Sequence, residues 1–137
     1  MRTSWVEKHD PQSHWCETDR VGFKERLPTG TDVGAGRANT ELIVRVCGPD
    51  SAAGVAAAYR GGGKDDWFLP SKDELNALYV QRKVVGALAV PRGLGRFWSS
   101  SQSSDYVDEA WCQSFGNGTQ GIDNKFDIWR VRPVRAF

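Results

Sequence analysis

The stretch "DWFLPSKDELNALYVQR" constrains the chain more than any other. Ser71 followed three residues later by Glu74 makes a capping box, and Leu75, Leu78 and Tyr79 then recur at helical spacing. The spacing predicts a helix starting at Ser71. Pro70 keeps the residue before it extended, so Trp67, Phe68 and Leu69 become an apolar lead-in locked against that helix. An earlier helix is predicted from Ala38, where "ANTELIVRVC" sets Leu42, Ile43 and Val46 on one face. Asn39 or Thr40 is available as its cap and "GP" at 48–49 as its stop. The Ala-rich "SAAGVAAAYR", ending at "GGG", reads either as the rest of one interrupted helix or as a second short one.

The C-terminal third reads differently. "RFWSSS", "EAWCQSFGNG", "NKFDIW" and "VRPVRAF" are short strand patterns separated by "QSSDYVD" and "NGTQGID", with "VPRGLG" as the loop before them. Within "AWCQSFGNGTQ", Trp111 and Phe115 fall on one register, predicted buried, and Cys112 and Ser114 on the other, predicted exchangeable. Residues 1–36 are turn-rich, with short strands and loops around "VGFKERL". Six Trp, six Phe and 15 Gly argue against a helical bundle, since helices disfavour Gly, and for an α+β domain. A length of 137 residues fits one domain.

Several function classes find no support. Lys and Arg number 18 against 17 Asp and Glu, a net charge of +1 that indicates no nucleic-acid partner. No stretch approaches the ~20 apolar residues of a membrane span. The N-terminus lacks an apolar signal region, so the expected location is cytoplasmic if the chain is complete, and a cell surface or phage particle if it belongs to a larger protein. Cys16, Cys47 and Cys112 are odd in number and far apart, which favours buried free thiols over a disulfide framework or zinc site. His9 and His14 near Cys16 and Asp19 match no metal-ligand spacing, and "DYVDE" lacks the calcium-loop pattern, so no metal or cofactor is expected. "GAGRAN" lacks the third Gly of a phosphate loop, and Asn117 in "NGT" reads as a turn. No Ser-His-Asp order or HExxH is present, and Asp65, Asp66, Asp73 and Glu74 suit a helix first turn better than an acid and base pair. Arg92, Arg96, Arg130, Arg132 and Arg135 pair with acidic residues or, on the other reading, meet a polyanion, with Arg130 and Arg132 sharing a face.

Six segments in order, "GAGRANTELIV", "GGGKDDWFLPSKDELNALY", "FWSSS", "AWCQSFGNGTQ", "K" and "WRVRPVRAF", resemble the DUF1566 or Lcl C-terminal domain family over residues 30–137, with 1–29 matching weakly. The resemblance implies a C-type lectin fold, with two helices packed on a twisted antiparallel sheet and the terminal strands close together. "DWFLPSKDEL" is also similar to the helix start of formylglycine-generating enzymes, but their reactive cysteine pair is not evident, so no enzyme is expected. The EPN and WND calcium motifs of animal lectins are absent too.

Relatives of this kind include adhesins for sulfated polysaccharides and variable proteins of diversity-generating retroelements. In the latter, error-prone copying at template adenines rewrites the 3′ end of the gene. The resemblance then implies that residues 97–137 are a variable region. "FWSSS", "AW", Phe115, Gly118 and "RVRPVRAF" form its fixed frame, since their codons need no adenine in the first two places. The ligand-binding set it implies is Gln102, Ser104, Asp105, Tyr106, Asp108, Cys112, Ser114, Gly116, Thr119, Gly121, Ile122, Asp123, Phe126, Asp127, Ile128 and Trp129. Trp67, Phe68, Leu69, Trp98, Trp111 and Phe115 would hold the scaffold. A protein or glycan is the expected ligand. Ile122, Phe126 and Ile128 are open to a second reading as ordinary core positions.

Overall fold

A computed structural model describes residues 2–3, 11–81 and 95–136. The expectations that concern His9, Arg92 and most of the "VPRGLG" loop lie outside the described residues. In chain order the elements are β1 (Arg2–Thr3), β2 (Gln12–His14), α1 (Gly36–Cys47), α2 (Ala52–Ala58), α3 (Lys72–Val80), β3 (Arg96–Gln102), β4 (Glu109–Ser114), β5 (Gln120–Asn124), β6 (Ile128–Arg130) and β7 (Val134–Arg135). Five strands form one sheet in the order β2-β6-β3-β4-β5, while β1 pairs antiparallel with β7 and so joins the two ends of the domain.

The α+β class is as expected, with two differences. Three helices form instead of the two the resemblance implied, the Ala-rich stretch taking its second reading as a separate helix, because Gly48 takes a left-handed φ of 87° before Pro49 and the Ser51 hydroxyl, accepting from Gly54 N–H at 3.1 Å, starts a new helix. The sheet is mixed rather than antiparallel, because β6 enters between β2 and β3 and runs parallel to β3 at Phe97 and Arg130. Alternation in a sequence marks strands without fixing their direction. The "NGTQGID" linker also contributes β5, and "NKFDIW" divides into a turn and β6.

The capping box forms as the spacing requires: Ser71 and Glu74 bond reciprocally at the start of α3. Glu74 does more than cap. Its Oε1 also accepts from Gly36 N–H at 3.1 Å and its Oε2 from Gly34 N–H at 3.1 Å, so one carboxylate holds the N-termini of α1 and α3 together. A Cβ on Gly36 would stand 2.3 Å from Glu74 Oε1. The glycines of "GAGRAN" therefore admit a protein carboxylate where a phosphate loop admits phosphate. Because α1 begins at Gly36, Asn39 and Thr40 lie inside it rather than capping it. Asn39 bonds both backbone groups of Gly30, and the Thr40 hydroxyl accepts from Leu69 N–H at 2.9 Å.

Two apolar clusters flank the sheet. One gathers Trp15, Ile43, Leu69, Trp98, Cys112 and Val131 with the alanines of α2, and the other Phe68, Leu75, Leu78, Phe97, Phe115 and Val134. The first contains a disulfide between Cys16 and Cys47, 31 residues apart, where free thiols were expected. The chain puts Cys16, two residues past β2, beside the last turn of α1, a proximity that spacing along the sequence does not encode. Cys112 is a buried free thiol, as expected.

The register within β4 is also corrected. Cys112 packs into the first cluster, while Trp111 is half-buried with the Lys72 ammonium 4.5 Å from its ring centre. The middle of β4 is covered on both faces, so simple alternation does not separate core from display.

Candidate functional site

Strand β3 is the most buried part of the C-terminal region. Phe97 to Gln102 are all buried, and the serines of "FWSSS" bond to surrounding chain instead of solvent. Ser99 Oγ donates to Trp111 O at 2.8 Å, Ser100 N–H to Pro70 O at 2.7 Å, and Ser101 Oγ to Gly30 O at 2.8 Å while accepting from Lys72 N–H at 2.9 Å. Small hydroxyls let three neighbouring segments approach this strand and satisfy their backbone groups. Its pairing with β4 slips between Trp98 and Gln102, which the Ser99 bond bridges.

Against that frame, 14 of the 16 expected ligand-binding residues are exposed or half-exposed. Ser104, Asp105 and Tyr106 are exposed on the β3–β4 loop with Asp108 half-exposed beside them, and Ser114, Gly116 and Thr119 border the next turn. Gly121, Ile122 and Asp123 are half-exposed on β5, Phe126 and Asp127 are exposed on the turn after it, and exposed Ile128 and half-exposed Trp129 open β6. Phe126 and Ile128 are thus not core residues. Phe126 instead stacks on His14, ring centres 4.5 Å apart, and His14 pairs across the strands with Ile128. Asn117 forms the expected turn, its side chain accepting from Thr119 N–H at 3.0 Å.

The other two expected positions are structural. Gln102 Oε1 accepts from Leu27 N–H at 3.0 Å and from Lys125 Nζ at 3.1 Å, which fixes it in the interior. Cys112 donates to Asp123 Oδ2 at 3.1 Å, and burial first, then Asp123, pushes its thiol up to about 12. It stays protonated and unreactive at neutral pH.

Three residues outside the expected set shape the surface. Arg96 Nη1 meets Asp123 Oδ2 at 2.9 Å while its guanidinium lies 5.3 Å from the centre of the Trp129 ring. His14 supports Phe126. Lys125 is fully buried, with its ammonium donating to Gly22 O at 2.8 Å, Glu25 O at 3.2 Å and Gln102, and lying 5.0 Å from the centre of the Trp15 ring. Burial pushes it down to about 8 against the pull of Asp108 and Glu25. The signal for Lys125 was available: it is the lone cation of residues 102–129.

The C-terminal arginines do not form a shared face. Arg132 is fully buried over the Phe97 ring, and Arg135 makes two hydrogen bonds with Asp66, at 2.6 and 2.9 Å, which hold the Asp66 carboxyl below its ordinary range. The pairing reading therefore holds for Arg135. Elsewhere, α1 and residues 65–68 border a cavity of about 370 Å³ whose lining includes Arg37, Glu41, Arg45 and Trp67. Among the described residues no group of His, Cys, Asp and Glu is arranged to hold a metal ion, and no helix is long and apolar enough to cross a membrane.

No curated protein matches the chain. The family described as the Lcl C-terminal domain matches residues 5–135, a span that includes most of the N-terminal stretch of weak resemblance and every strand of the five-stranded sheet. The chain belongs to the Lcl C-terminal domain family.

Proposed function

We propose that this domain is a non-catalytic recognition module of C-type lectin-like fold, the variable protein of a diversity-generating retroelement, which binds its ligand through side chains between residues 104 and 129. One observation carries the reading. Within a single 28-residue span, from 102 to 129, buried residues alternate with exposed or half-exposed positions, of which Trp129 still packs against the first core cluster. Exposed substitutions usually change stability by less than about 0.5 kcal/mol, so such positions tolerate many side chains. The joined terminal strands and the serine bonds of β3 support a rigid platform beneath them.

The test is to sequence the gene with its downstream flank. The expected result is a near-copy of the segment coding for residues 97–137 that differs only opposite template adenines. A flank without such a repeat removes the retroelement assignment. The alternative of a sulfated-polysaccharide adhesin has less support, because Arg132 is buried and Arg135 is engaged by Asp66.

A further inference from the structure

Three exposed apolar side chains, Tyr106 on the β3–β4 loop, Phe126 on the turn after β5 and Ile128 at the start of β6, lie on neighbouring segments of the proposed display surface. Tyr106 is 56% exposed, Phe126 47% and Ile128 52%, high values for large apolar groups in a well-packed domain. That loop and that turn are tied by Lys125 N–H donating to Asp108 O at 2.8 Å, and the Tyr106 carbonyl accepts from Glu109 N–H at 3.3 Å. Acidic groups outnumber basic ones around these residues: the described cations there include Arg96, paired with Asp123, and exposed Arg26, whose guanidinium donates to Ser104 O beside Asp105. Residues 102–129 carry Asp105, Asp108, Glu109, Asp123 and Asp127, and their one cation, Lys125, is turned into the interior. Asp123 is matched by Arg96, but among the described residues no Lys or Arg forms an ion pair with the other four. Their repulsion registers at Glu109, whose carboxyl is raised by burial and then by Asp108, Asp123 and Asp127. No metal-holding arrangement accounts for them among the described residues.

We propose that this surface docks a cationic amphipathic partner, a protein segment with Lys or Arg interspersed among apolar residues, a reading that rests on the display role proposed above. Tyr106, Phe126 and Ile128 supply the apolar contact that a partner's aliphatic residues would cover. Asp105, Glu109 and Asp127 then meet its cations and set the orientation and rate of approach. A sulfated chain would meet carboxylates of its own sign here.

The experiment uses the purified chain and three probes: a fluorescein-labelled peptide of alternating Lys and Leu, its Glu and Leu counterpart, and labelled heparin, followed by anisotropy. Two variants accompany it. One is Asp105→Asn/Glu109→Gln/Asp127→Asn, which spares Asp108 because its carboxylate supports Lys125, and the other is Tyr106→Ser/Phe126→Ser. Both are checked for unchanged melting. The expected result is binding of the Lys peptide alone, weakened about tenfold in the neutralised variant. That difference should vanish at about 0.5 M salt, where the Debye length is only a few Å, while the Ser variant stays weak at every salt concentration. Equal binding of both peptides, binding of heparin, or no effect of neutralisation overturns the proposal. Peptides selected from a random library on the wild-type chain separate it from the display reading. Neutral or acidic peptides that bind the wild type and lose binding in the Ser variant overturn the cationic partner but leave the display surface in place. Peptides insensitive to both variants place recognition elsewhere and overturn both.

Discussion

Removal of the Cys16–Cys47 bridge should cost this domain a large part of its stability. The bridge closes a loop of 31 residues and ties the end of β2 to the end of α1. For a loop of that length, chain entropy alone gives about 12 cal/mol/K, or about 4 kcal/mol near room temperature. With an unfolding entropy of about 2.1 cal/mol/K per residue over 137 residues, that lowers the melting temperature by roughly 13 °C. Both cysteines are fully buried, so reductant must act on the unfolded chain before refolding. The assay compares circular-dichroism melts of the oxidised protein, the reduced and refolded protein, and Cys16→Ala/Cys47→Ala. In denaturant without reductant, thiol titration should find one reactive group, Cys112. Three titratable thiols, or reduced and oxidised melts within about 3 °C of each other, would refute the reasoning.

Other consequences concern single groups. Glu74→Gln should cost about 3 kcal/mol in denaturant unfolding, since it alters the acceptor of three backbone N–H groups in a buried site, and a loss below about 0.5 kcal/mol would contradict the shared cap. The Lys125 ammonium is lowered from 10.5 to about 8 in the folded chain, so the unfolded state binds more protons between those values. Stability contributed at this residue must then rise with pH across that window, by up to about 3 kcal/mol, relative to Lys125→Met. A stability difference between wild type and Lys125→Met that stays flat from pH 7.5 to pH 10.5, by urea unfolding, would remove that assignment. Tyr106→Ala/Phe126→Ala should lower stability by no more than about 1 kcal/mol, whereas Trp98→Ala, which empties a fully buried site and removes a 2.9 Å bond to Ser13 O, should cost about 4 kcal/mol. Equal losses in the two variants would show that the display residues belong to the core.

What could be read in advance follows the range of each interaction. The α3 cap joins residues three apart, and Ser71 and Glu74 announce it without any tertiary information. The second role of Glu74, which reaches back 38 and 40 residues to Gly36 and Gly34, has no local signature. The disulfide is illegible for the same reason, as is the parallel contact of β3 with β6. Local alternation even misleads at β4, where Cys112 and Gln113 are both buried because clusters lie on both sides of the sheet.

Gln102 and Cys112 show why the display set could not be drawn from pattern alone. Both fit a mosaic of changeable residues between fixed ones, yet Gln102 satisfies Lys125 and the Leu27 N–H, and Cys112 fills the first core cluster. Substitution at either leaves a buried polar group without its partner or a gap beside Trp98, changes that cost far more than any at Ser104 or Asp127. Lys125 links the two classes. Its ammonium anchors the Gly22–Glu25 segment from within the very turn that carries Phe126 and Asp127. A turn pinned at its base by one buried side chain holds its backbone while its outward residues face solvent, which is the physical condition that the proposed display surface requires.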